Sequence, residues 1–69
     1  MGAMETEIRI NLTVLDKTYK SELEINPDVA ERYRFKAHGL RQGLELAFSK
    51  KFLKPIFDDF PALWVDYDE

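Results

Sequence analysis

The sequence predicts an α+β fold. An N-terminal antiparallel β-hairpin over residues 7–25 packs on one long or broken α-helix over residues 27–54, and a short C-terminal strand or arm lies within residues 55–69. Three observations carry this expectation. Apolar and polar residues alternate in two consecutive stretches before residue 26. A capping residue, a proline and graded charge frame the stretch that follows. Residues 63–67 have the bulky composition of a strand.

The hairpin rests on register. In an extended chain Ile8, Ile10, Leu12 and Val14 point to one side, and Arg9, Asn11 and Thr13 to the other. Tyr19, Leu23 and Ile25 repeat the pattern beside Ser21. A two-residue turn at Asp16-Lys17 pairs Val14 with Tyr19, Leu12 with Ser21, Ile10 with Leu23 and Ile8 with Ile25. The same register sets Arg9 opposite Glu24, so one pairing satisfies both faces. Ile10 is then a core residue.

The helix is framed by local chemistry. Asn26 can accept a free backbone N–H of the first turn, and Pro27 suits the first helical position. Asp28 and Glu31 lie near the positive end of the helix dipole; Lys50, Lys51 and Lys54 lie near the negative end. Pro55 opposes continuation. Val29, Tyr33, Ala37, Leu40, Leu44 and Ala47 or Phe48 share one apolar face, which the hairpin covers. Phe35, Gly39, Leu46 and Leu53 form a second face, about 120° or more away at the helical repeat. That face is expected to be a homodimer interface or to be covered by the C-terminal segment, with Gly39 and Gly43 allowing close approach. In a broken helix, His38-Gly39 would end the first part.

Length and charge narrow the function. Sixty-nine residues make one small domain, over residues 4–69, since Met1-Gly2-Ala3 before a second Met reads as an expression-tag remnant. A core this small often leans on oligomerisation. The chain has no Cys, which excludes disulfides and thiolate metal sites. No apolar run approaches the roughly 18 residues of a membrane span, so a cytoplasmic protein without membrane contact is expected. Residues 27–54 carry seven bases and three acids, whereas residues 55–69 carry five acids and no base.

Catalytic chemistry is not expected. His38 is the only histidine, and no Cys accompanies it. Asp58, Asp59, Asp66, Asp68 and Glu69 match no calcium-loop spacing, and no glycine loop could cradle a phosphate. No cofactor and no metal are implied. On a continuous helix Arg32, Lys36, Lys50 and Lys54 cluster, as a solvated face or as a contact for nucleic acid or an acidic partner. Trp64, Asp66, Tyr67, Asp58 and Asp59 form the candidate protein-binding set. Aromatics interleaved with carboxylates suit a segment that docks its rings while its charges meet a basic surface. That surface is either the chain's own helix or a target protein.

Two resemblances follow. Residues 8–37, two alternating strands and then INPDVAERY, resemble the opening of the ubiquitin-like β-grasp, although the remainder is too short to complete that sheet. Residues 21–53, SELEINPDVAERYRFKAHGLRQGLELAFSKKFL, resemble the ribbon-helix-helix pattern of small DNA-binding repressors. That resemblance implies a dimer whose paired strands enter the major groove, yet Lys20, Glu22 and Glu24 would face the DNA, and two carboxylates there oppose it. The leading expectation is a small non-enzymatic regulator or inhibitor that binds another protein as a homodimer. A dimeric DNA-binding regulator is the alternative.

Overall fold

The computed structural model describes residues 2–65. It overturns the α+β expectation: helix accounts for 89% of the described residues, and no strand occurs among them. The order is α1 (Ala3–Ile25), α2 (Pro27–Ala47), α3 (Lys50–Asp58) and a short 3₁₀ turn, η1 (Pro61–Trp64).

The expected hairpin is α1. The stretch holds two periodicities at once, and packing selects the helical one. Ile8, Leu12, Leu15 and Tyr19 recur at steps of four, three and four, and α1 turns them inward. Leu12 is fully buried, while Ile10 is 58% exposed. Val14 and Ile25 are exposed as well. A two-residue hairpin turn at Asp16-Lys17 would need left-handed backbone, which Asp16 tolerates but Lys17, in the place usually held by glycine, does not favour. The helix needs none, and it adds ion pairs one turn apart: Arg9 with Glu5 at 3.0 Å and Lys20 with Asp16 at 3.1 Å. The ribbon implied by the ribbon-helix-helix resemblance disappears too, because Lys20, Glu22 and Glu24 lie in the last turns of α1. So do the strands of the β-grasp resemblance. No strand forms at residues 63–65 of the stretch expected to be one; Leu63 and Trp64 belong to η1, and residues 66 and 67 lie outside the described residues.

Asn26 alone joins α1 to α2 and serves both. Its N–H donates to the Glu22 carbonyl at 2.6 Å, closing α1. Its side-chain oxygen accepts from the Asp28 N–H at 3.2 Å, opening α2 before Pro27. Its extended backbone folds α2 back along α1. Ala30 and Ala37 are fully buried on the facing side of α2, and their small side chains let the two helices approach closely.

The long helix expected over residues 27–54 is broken, but not at Gly39. α2 runs through Gly39 and Gly43 and ends at Ala47. Phe48 is extended, and Ser49 caps α3 by accepting the Phe52 N–H at 3.2 Å. Pro55 does not end the helix; it lies inside α3, on the exposed side, and forgoes one backbone hydrogen bond there. α3 turns Leu53, Ile56 and Phe57 inward, and Leu63 of η1 joins them. Burying side chains of this size contributes about 2–3 kcal/mol each. The smallest extent of the chain, 16 Å, fits two helix layers. The C-terminal elements pack on the α1–α2 pair, and Arg9 holds them there by pairing with Asp59.

A basic groove at the α2–α3 junction

Trp64 is the centre of the site. Pro61 opens η1, whose single turn brings the indole back towards α3 and α2. The indole N–H donates to the Phe57 carbonyl at 2.7 Å. One ring face stacks on His38, with centroids 5.8 Å apart and planes at 25°. The Phe57 ring meets it edge-on at 5.3 Å. His38 Nε2 lies 2.7 Å from the Leu63 carbonyl oxygen. A carbonyl can only accept, so Nε2 carries the proton and donates.

Arg41 follows His38 by three residues on α2, and so faces the same rings. Its guanidinium lies 4.6 Å over the Phe57 ring and 4.9 Å over the Trp64 ring. Glu45, one turn further on, approaches it at 3.5 Å. Stacked on two rings and held by a carboxylate, the guanidinium has little freedom. Lys50, Lys51 and Lys54 of α3 border the same space. The resulting groove has a volume of about 810 Å³, within the range of ligand clefts. Its lining combines Arg41, Lys50, Lys51 and Lys54 with Glu45, Asp58 and an apolar floor of Leu53, Phe57, Pro61 and Trp64. Lys54 pairs with Asp58 at 3.2 Å. Lys50 and Lys51 make no ion pair with any described residue.

The groove unites only part of the expected site. Trp64, Asp58, Lys50 and Lys54 come together there. Asp59 turns instead to Arg9 on α1. Asp66 and Tyr67 lie outside the described residues. Arg32 and Lys36 line a separate cleft of about 240 Å³ with Val29 and Tyr33, and the Lys36 ammonium lies 5.8 Å over the Tyr33 ring. The four bases would share one face only on a continuous helix, and the break at Phe48 and Ser49 resets the helical phase. The same break separates the second apolar face. Phe35 and Leu46 are 62% and 92% exposed, and Gly39 borders open space, whereas Leu53 is 1% exposed in the core.

Sequence reasoning left Arg41, Lys51 and Phe57 out of the candidate site and gave His38 no role beyond ending a broken helix. On a continuous helix Arg41 falls on the side opposite Arg32, Lys36, Lys50 and Lys54. The one available signal was Ser49, a good N-cap, which would have moved the break to its observed place.

Away from the groove, Arg34 is only 7% exposed and donates to both Glu31 carboxylate oxygens. That hydrogen bonding holds the Glu31 carboxyl below its usual range. Hydrogen bonds to Asp59 and Glu5 likewise raise the Arg9 guanidinium above its ordinary value.

No protein-family model, curated protein or solved structure matches this chain. No helix among the described residues is long and apolar enough to cross a membrane.

Proposed function

We propose that this chain is a small non-enzymatic regulatory or inhibitory protein that binds another protein, taking an acidic segment of that partner in the groove between α2 and α3. One observation carries the reading. Arg41 is fixed over Phe57 and Trp64 at the floor, while Lys50 and Lys51 stand at the margin without ion pairs among the described residues. Such a surface suits carboxylates beside an apolar or aromatic side chain. The charges steer and orient the segment, and the rings supply desolvated contact. The exposed face with Phe35, Gly39 and Leu46 supports pairing of two copies along α2, since a chain this small rarely leaves so much apolar surface to water.

The test uses a labelled peptide rich in Asp, Glu and aromatics, followed by fluorescence anisotropy. Saturable binding that weakens with salt is expected. Lys50→Glu together with Lys51→Glu should reduce affinity about tenfold or more. Failure to bind, or equal binding of a Lys-rich peptide, overturns the proposal. So does tighter binding of mixed-sequence DNA than of the acidic peptide, which would make the groove a phosphate-backbone surface.

A further inference from the structure

We propose that the second copy packs on α2 antiparallel, about a twofold axis level with Leu40 and Arg41, so that Phe35 of each chain lies beside Leu46 of the other. This rests on the pairing of two copies along α2 and gives that pairing its direction. A symmetry in the exposed face carries it. Phe35, Gly39, Gly43 and Leu46 fall within about 80° of one another round the helix. Phe35 and Leu46 are exposed, and a methyl group placed on either glycine meets no atom within 4 Å. Along α2 the face therefore runs large, small, small, large. The midpoint of Phe35 and Leu46 and the midpoint of Gly39 and Gly43 are only about half a residue apart, well under one helical turn. A pattern that reads the same from either end is self-complementary across a twofold axis set perpendicular to the helix. Two contacts of Phe35 with the second copy's Leu46 then close the ends of the seam. Gly39 faces the second copy's Gly43 near the centre, where the backbones can approach closely.

Charge selects the same direction. In a parallel pair each residue meets its own copy, which sets Arg32 against Arg32 and Lys36 against Lys36 beside an apolar seam. In the antiparallel pair the stems of Arg32 and Lys36 reach the neutral half of the other face, Gln42, Gly43 and Leu46. Asp28 makes no ion pair with any described residue. At the helical rise it extends about 9 Å past the second copy's Ala47, on the side where that chain goes on to Lys50 and Lys51. Arg41 lies about 140° round α2 from Leu46, so both grooves face away from the seam and stay open.

The chain has no Cys, so single introduced thiols report the geometry without background. Gln42→Cys places a thiol close to the axis, and Arg32→Cys places one near an end; both positions are exposed, so both variants should keep the fold. In the antiparallel pair the two copies of position 42 lie about 4.5 Å apart along the helices, and the two copies of position 32 about 25 Å apart. In a parallel pair both positions are level with their copies. Each variant is treated at about 100 μM with a thiol crosslinker spanning roughly 10 Å, close to two helical turns. Gln42→Cys should run as a covalent dimer on a denaturing gel, and Arg32→Cys should run as a monomer. Adding Leu46→Glu to Gln42→Cys should abolish the covalent dimer. Efficient crosslinking of Arg32→Cys makes the pair parallel and overturns the inference, while the homodimer stands. A dimer by sedimentation in which neither thiol crosslinks puts the interface elsewhere and overturns the inference too. A monomer by sedimentation at the same concentration overturns the homodimer reading, and the inference falls with it.

Discussion

The indole of Trp64 stacks on the imidazole of His38, 26 residues away in sequence, with ring centroids 5.8 Å apart. This stack, the bond from the indole N–H to the Phe57 carbonyl and the bond from His38 to the Leu63 carbonyl lock η1 onto α2 and α3. Trp64→Ala should therefore cost about 3 kcal/mol in urea unfolding. Trp64→Phe keeps most of the ring but loses the N–H, and should cost about 1 kcal/mol. An unchanged unfolding midpoint in Trp64→Ala would show that η1 does not hold the fold.

Ile10 and Leu12 separate the helix from the hairpin. On a strand both face the core, and an aspartate at either position would be equally damaging. On α1 they lie on opposite sides. Leu12→Asp should cost several kcal/mol as a buried charge. Ile10→Asp should change stability by no more than about 0.5 kcal/mol. Equal costs would return this stretch to a strand.

Asn26 closes one helix and opens the next, so its side chain should count. Asn26→Ala removes the acceptor for the Asp28 N–H and should cost about 1 kcal/mol. Thermal unfolding followed by circular dichroism measures this. A neutral result would mean that Pro27 alone sets the start of α2.

Glu31 and Arg34 predict a pH dependence with a definite sign. The carboxyl is held below its usual range by the Arg34 hydrogen bonds. Its contribution is present above the unfolded pKa of about 4.3 and is lost as the pH falls through the lower folded value. The Glu31 side chain is 40% exposed, so solvent screening limits the contribution to roughly 0.5 kcal/mol. Glu31→Gln should melt slightly earlier than the unaltered chain at pH 7, and the difference should shrink below pH 4. A difference that grows in acid would contradict the assignment.

Phe35 and Leu46 make the dimer testable. Sedimentation at about 100 μM should show a dimer, and Leu46→Glu should weaken it. Gly39 adds a second reading. A methyl group there meets no atom within 4 Å in the single chain, so Gly39→Ala should stabilise an isolated helix by about 0.5–1 kcal/mol. If the same substitution impairs pairing, the two copies pack backbone to backbone at that point. A clean monomer at that concentration rejects the interface.

Some features were legible because their causes are local. Asn26 and Pro27 mark the start of α2 whatever the rest of the chain does, since a cap needs only its own first turn. The mixed charge of residues 27–54 and the absence of cysteine are likewise properties of composition. Residues 8–19 were not legible, because Ile8, Ile10, Leu12 and Val14 satisfy period two while Ile8, Leu12, Leu15 and Tyr19 satisfy the helical period. Only contact with Ala30 and Ala37 on α2 and with the C-terminal elements decides between them, and it decides for the set that those elements can cover. The groove depended still more on tertiary structure. His38, Arg41, Lys50 and Trp64 are separated by stretches whose relative phase is set by the break at Ser49 and the turn at Pro61. A helical repeat extrapolated through residue 48 puts Lys50 with Arg32 and Leu53 with Phe35. Folding α3 back on its buried Leu53, Ile56 and Phe57 puts Lys50 with Trp64 instead, because burying those three side chains outweighs continuing a helix into water.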